Sequence, residues 1–130
     1  MPPKTVGNPR ADRAEVEEAG ALLARVRAAL EGVPRVREQR MFSGITFMVN
    51  GKMCISAGRH RLMCRIDPER HETALKRPGA RTVTMKGRAY RGYVFVDEEA
   101  VATKKDLMHW VALCLDFNKR AKSSRARKKR

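Results

Sequence analysis

Apolar residues fall at Val16, Ala19, Leu22, Leu23, Val26 and Leu30, steps of three and four that lay one stripe along a helix. Asp12 with Glu15 reads as its N-cap pair, and Gly32 followed by Pro34 stops it. The period then changes. Residues 35–41, Ile45–Val49, Lys52–Ala57 and Leu62–Ile66 are short β-prone runs separated by Ser43-Gly44, Asn50-Gly51 and Gly58-Arg59-His60-Arg61. Asn-Gly between two such runs is a strong hairpin signal, because a type I′ turn needs positive φ at both central positions. These runs predict a meander of three or four strands. Asp67-Pro68-Glu69 starts a short helix that ends before Pro78-Gly79. Arg81–Met85 and Tyr93–Asp97 read as two further strands, with KGRAYRG, residues 86–92, as a basic connection between them. Thr103 with Asp106 opens a last helix, whose stripe is Leu107, Trp110, Val111, Cys114 and Phe117.

The pattern also predicts a register. With Val49 opposite Lys52, Met48 faces Met53 and Phe47 faces Cys54; around the next turn Ile55 faces Cys64 and Ala57 faces Leu62. One sheet face then carries Met48, Met53, Ile55, Ala57, Leu62, Cys64 and Ile66. The other carries Ile45, Phe47, Val49, Cys54 and Met63, which is too apolar for open water. Either a bulge near Gly44 shifts the register or something covers that face. Coverage is the favoured reading, which makes Ile45, Phe47, Val49 and Met63 candidate partner-binding residues, for another protein or a second copy in a homodimer.

Length and composition narrow the class. A chain of 130 residues with 42% hydrophobic content suits one globular domain. The expected organisation is a loose N-terminal segment over 1–13, a folded domain over 14–118 and a basic end over 119–130. No apolar run approaches a membrane span, and the N-terminus lacks a signal-peptide core, so the expected location is cytoplasmic. Three cysteines without CxxC spacing read as free thiols.

Charge is uneven. Of the net +15, +8 lies in KRAKSSRARKKR, residues 119–130, and +2 in residues 1–13, leaving +5 on residues 14–118. Lys119, Arg120, Lys122, Arg125, Arg127, Lys128, Lys129 and Arg130 form a phosphate-seeking run, expected to bind DNA or RNA by counterion release with little sequence preference. An alternative places a dedicated nucleic-acid site on the folded domain, using Arg59, Arg61, Arg88 and Arg91. Tyr90 and Tyr93 are the convenient stacking aromatics, with Tyr93 expected to pack within its strand.

Catalytic patterns are weak. Cys54 and Cys64 lie on neighbouring strands and face opposite ways in the predicted register; a slip of one residue would bring them together, which leaves a thiol enzyme as a third reading. His60, His71 and His109 lack metal-ligand spacing, and no phosphate loop is present. The expectation is no catalytic residue, no metal and no cofactor.

Three segments carry a family resemblance. RMFSGITFMVNGKMC, residues 40–54, resembles the opening of the TfoX N-terminal domain family, also called Sxy-like, through Met41, Phe42 and Gly44. RPGARTVTMKGRAYRGYVFVDEEAV, residues 77–101, resembles its middle, and DLMHWVALCLDF, residues 106–117, its closing helix, through Leu107 and Trp110. The resemblance covers residues 14–118. It implies an α+β domain with helices packed on an antiparallel sheet of about five to six strands, similar to the type III secretion chaperone-like two-layer fold. It also implies a non-enzymatic bacterial regulator. The best-known members are competence coactivators beside the cyclic-AMP receptor protein, and they carry a second domain suited to DNA binding. Here the basic run follows Phe117 instead.

Overall fold

The computed structural model describes residues 20–41 and 44–121. A helix over 20–29 (α1) leads into a six-stranded antiparallel sheet in the order β1-β2-β3-β4-β6-β5. The strands are β1 (Val36–Met41), β2 (Gly44–Val49), β3 (Lys52–Gly58), β4 (Arg61–Arg65), β5 (Ala80–Met85) and β6 (Arg88–Asp97). A 3₁₀ turn at Pro68–Arg70 and the short helix α2 (His71–Ala74) join β4 to β5. A second 3₁₀ turn at Glu98–Val101 precedes α3 (Lys104–Asn118). This is the α+β class that the resemblance implies.

Local chemistry explains most boundaries. The Asp67 carboxylate accepts from the Glu69 amide at 3.0 Å, and Pro68 fills the first helical position. The Thr103 hydroxyl accepts from the Asp106 amide at 3.1 Å and starts α3. Asn50 and Gly51 sit at φ +56° and +77°, and Lys86 and Gly87 at +53° and +76°, so β2–β3 and β5–β6 are both joined by two-residue turns with positive φ.

The expected register needs one correction, which moves Ile45, Phe47, Val49 and Cys54 onto the face of Ile55 and Cys64, and Met48 and Met53 onto the face of Met63. Val49 pairs with Lys52 and Met48 with Met53, as expected, but Phe47 pairs with Ile55 rather than Cys54. The extra residue is Cys54 of β3, bulged opposite Phe47/Met48, so a bulge, the alternative to the favoured coverage, sets the register, and it lies beyond Gly44. Because side chains alternate with period two, a one-residue shift turns Ile45 and Phe47 to the face that holds Ile55, Ala57, Leu62 and Cys64. The pairing rows now read Arg40–Ile45–Ala57–Leu62–Val96–Ala80 and Glu38–Phe47–Ile55–Cys64–Val94–Thr82. Both rows lie under the helices. Leu22, Leu23 and Val26 from α1, Leu30 just after it, and Leu107, Trp110, Val111 and Cys114 from α3 complete that core.

Gly44 still has a role that only glycine can fill. A Cβ there would stand 2.4 Å from the Ala57 carbonyl oxygen and 2.8 Å from the Gly58 Cα. Both are backbone atoms of the adjacent strand, so neither can swing away.

A second correction concerns β6. It begins at Arg88, not Tyr93, and of KGRAYRG only Lys86-Gly87 forms the turn. Gly92, which reads as a loop boundary in the sequence, is inside the strand at φ +94°, within the irregularity where pairing steps from Thr82↔Val94 to Val83↔Tyr90. The helix after Asp67 is also shorter than expected and closes at Ala74.

Candidate functional site

The sheet's second face has its own cluster. Met53, Met63 and Val83 are buried there, with Met48, Met85, Tyr93 and Phe95 half-buried around them. No residue of a described helix packs in this cluster. The row across the face is Gln39–Thr46–Ser56–Met63–Phe95–Arg81. Thr46 and Ser56 are buried polar residues of this row and satisfy each other, Oγ1 to Oγ at 3.1 Å, and Ser56 also donates to the Ile45 carbonyl at 3.3 Å.

Along β6 this face becomes aromatic and basic. The Arg61 guanidinium stacks 3.6 Å from the Phe95 ring centroid, and Arg81 approaches the same ring at 6.0 Å from β5. Arg81 also donates to Asp97 at 2.7 Å. Arg65 lies 5.7 Å from the Tyr93 ring and 5.8 Å from Phe117, at the rim between sheet and α3. Tyr90 meets Tyr93 edge to face at 6.3 Å. Opposed residues share a face, so Tyr90 follows Val83, Arg88 follows Met85 and Arg37 follows Met48 onto this side.

The sequence-derived candidates separate accordingly. Ile45, Phe47 and Val49 are 9%, 1% and 3% exposed and lie in the helix-covered core; Met63, 5% exposed, lies in the second cluster. They do not form one surface, because the bulge sends three of them to the other side. Arg59 and Arg61 stand at the β3–β4 turn, beside the C-terminal end of β6, whereas Arg88 opens β6 at the opposite end. Nine residue steps at roughly 3.3 Å put these ends roughly 30 Å apart. Arg91 donates to Glu72 of α2 at 3.2 Å. Arg120 donates to Asp67 at 2.8 Å and to the Asp116 carbonyl at 3.3 Å, clamping the end of α3 to the start of the 3₁₀ turn. Lys119 is exposed at the C-cap of α3. Lys122, Arg125, Arg127, Lys128, Lys129 and Arg130 lie outside the described residues, as does Phe42.

The residues that could carry chemistry are engaged in the fold. Cys54, Cys64 and Cys114 are free, buried thiols. The bulge brings Cys54 to the face of Cys64, and both join Cys114 of α3 in the same buried cluster. The Cys114 contact, together with burial, pushes the Cys54 thiol far above its ordinary range; burial does the same to Cys114. Neither is an activated nucleophile.

His71 is 3% exposed. Its Nδ1 accepts from the Gly92 amide at 2.9 Å, so the proton sits on Nε2, 2.9 Å from the Thr82 hydroxyl. Burial pushes this imidazole below its ordinary 6.5, with a smaller push in the same direction from Arg91 opposed by Glu72. His60 is exposed and lies 3.0 Å from a Glu98 oxygen. Among the described residues no group of three or more His, Cys, Asp or Glu side chains is placed to hold a metal ion. Among them, too, no helix is long and apolar enough to cross a membrane.

Sequence reasoning passed over two structural residues. His71 is one. The other is Asn118, 3% exposed, which donates to the Val49 carbonyl at 3.2 Å and accepts from the Asn50 amide group at 3.3 Å, while its own carbonyl accepts from Lys52 Nζ at 2.7 Å. Their partners are up to 69 positions away, so no local pattern announces them.

No curated protein and no solved structure matches the chain. The family model of the TfoX N-terminal domain matches residues 28–118, from the end of α1 to the last residue of α3. The match takes in the whole sheet, α2 and α3, and the chain belongs to the TfoX N-terminal domain family.

Proposed function

We propose that this chain is a non-enzymatic regulatory protein that acts in transcription by binding, with sequence-independent nucleic-acid affinity supplied by residues 119–130. The observation that carries this reading is the charge of that segment, eight cationic groups and no carboxylate in twelve residues, continuing directly from α3. Such a run neutralises phosphates and releases counterions, which produces affinity without base readout. Membership of the family supports a regulatory role in general. The protonated thiols and the structural bonds of His71 support a binding role over a catalytic one.

The fold dictates where to cut the chain to test this. Ala121 is 7% exposed and Arg120 clamps Asp67, so the truncation should keep residues 1–121. Fluorescence anisotropy with mixed-sequence duplex DNA, run from 50 to 200 mM salt, compares this truncation with the full chain. A segment covering six to ten phosphates gives a loss of roughly 10³–10⁵ in affinity over that range. The full chain should show this loss and the truncation a much flatter dependence. Equal slopes from both chains would remove the segment from the function.

A further inference from the structure

We propose that the helix-free face of the sheet is a binding platform for single-stranded nucleic acid, with bases stacking on Tyr93, Phe95 and Tyr90 along β6. This goes beyond the tail-borne affinity proposed above, and concerns a different part of the molecule.

The first argument is geometric. Single strands are held without duplex geometry when a cationic groove follows the backbone and aromatic rings accept successive bases. Sheet faces suit this because alternate residues of one strand point the same way at regular steps. Here Tyr93 and Phe95 alternate on β6, and Tyr90 joins them beyond the irregularity at Gly92. All three rings are half-buried: their bodies rest on the sheet and part of each faces outward. β6 is flanked by β4 and β5, so both sides of the track have a strand to supply flanking groups.

The second argument is charge. The strand residues on this face include Arg37, Arg61, Arg81 and Arg88, all exposed, against one carboxylate, Asp97, which Arg81 already engages. The cations sit at both ends of the aromatic track, Arg61 and Arg81 beside Phe95 and Arg88 beyond Tyr90. An anionic chain laid along β6 would meet rings in the middle and guanidinium groups at each end. The Arg61 guanidinium, stacked 3.6 Å over Phe95, already occupies a base-like position; it can slide to a phosphate and leave the ring to a base, or stay and stack on the base itself. An acidic peptide satisfies the charges, but it does not present a planar group at every step for the three rings along β6, which is why a nucleic acid is the better fit.

The test uses the full chain with fluorescein-labelled 12-nucleotide oligo(dT), oligo(U) and a 12-base-pair duplex, in 250 mM salt to subdue the tail. Tyr93→Ala, Phe95→Ala and Arg61→Gln are compared with wild type and with Phe95→Tyr, which keeps a stacking ring. Trp110, the sole tryptophan, is buried under α3, and its emission reports whether each variant keeps its core. The expected result is single strands bound at least tenfold tighter than duplex, a roughly 5- to 150-fold loss for each ring removed, and recovery in Phe95→Tyr. The salt slope should survive the ring substitutions, since no phosphate contact is lost. Equal affinity for duplex and single strand would overturn the proposal. So would unchanged affinity in ring variants whose Trp110 emission is native, or displacement of the oligonucleotide by an acidic peptide at equal concentration. Failure of the tail reading shows separately, as an unaltered salt slope in the 1–121 truncation.

Discussion

Met63 and Cys64 are neighbours on β4, and their side chains leave the sheet in opposite directions. Cys64 enters a core of Leu, Ile, Val and Trp side chains beneath α1 and α3; Met63 joins Met53, Met48 and Met85 beside Tyr93 and Phe95. Both sides bury apolar area, yet they are built from different residues. The helix-covered side uses branched shapes with few rotamers, which hold neighbours in one arrangement. The open side uses methionine, unbranched and polarizable, which adapts to whatever lies against it. Methionine, tyrosine and arginine are enriched at interfaces, and this face concentrates all three. One sheet therefore presents a rigid side that specifies the fold and a compliant side suited to contact.

Removing the largest side chain of the rigid side should cost the most. Trp110 is 1% exposed between α3 and the sheet. Trp110→Ala should destabilise by about 3–5 kcal/mol, read from the urea midpoint by circular dichroism. A loss below ~1 kcal/mol would mean that the helix-covered side is not closely packed. Gly44→Ala comes next. Its new methyl meets strand backbone, so β2 and β3 must separate, at about 1–3 kcal/mol by the usual cost of overpacking.

The compliant side should respond differently to a swap of shape. Met63→Leu changes branching while roughly conserving volume, and should cost less than ~1.5 kcal/mol. On the other side, Cys64→Met adds bulk against Cys114 and should cost about 1–3 kcal/mol. Two similar losses in urea unfolding would erase the distinction between the faces. Alkylation by iodoacetamide at pH 7.5 gives a smaller, kinetic readout. With Cys54 held protonated by the Cys114 contact and burial, and Cys114 by burial, modification in the native state should wait for unfolding.

Much of this architecture is legible in the residues, and the places where it is not share one cause. Turns and caps depend on neighbours in sequence, so Asn50-Gly51, Asp67-Pro68 and Thr103 with Asp106 are readable. The α1 and α3 stripes are readable because amphipathic periodicity repeats. The bulge at Phe47/Met48 is not, because it is set by how β2 meets β3 and by the packing of Phe47 on the helices. That single residue decides which face Ile45 and Phe47 occupy, and hence what the surface contains. The start of β6 was hidden for a related reason. Gly92 looks like punctuation, but its backbone is held by two partners outside the strand: its amide donates to His71, and its carbonyl accepts from the Ile66 amide at 2.8 Å. The arginine candidates are legible as charges, but not the separation that puts Arg59 and Arg61 beside one end of β6 and Arg88 at the other.

The smallest predicted effect concerns His71, the residue that holds Gly92 and therefore the irregularity between Tyr90 and Tyr93. Its imidazole is neutral in the fold, because burial lowers its pKa below the ordinary 6.5 and because a proton on Nδ1 would break the bond from the Gly92 amide. A depressed histidine contributes stability in full above its unfolded value; that stability declines as pH falls below 6.5 and is gone once pH passes the lower folded value. His109, also lowered chiefly by burial, adds to the same window. Asp67 and Glu72 are lowered too, Asp67 chiefly by the Glu69 amide and Glu72 chiefly by Arg91, so their contributions are lost only at more acid pH. Urea midpoints of wild type, His71→Asn and His109→Asn at pH 8, 7, 6 and 5 separate these contributions. Wild type should weaken between pH 7 and pH 5, His71→Asn should start weaker and decline less, and His109→Asn should retain most of the slope. Parallel curves for wild type and His71→Asn would show that the Gly92 bond survives protonation. Loss of oligonucleotide binding by wild type in the same acid window, with Trp110 emission unchanged, would tie the His71–Gly92 contact to the spacing of the two tyrosines and connect the rigid side of the sheet to the compliant one.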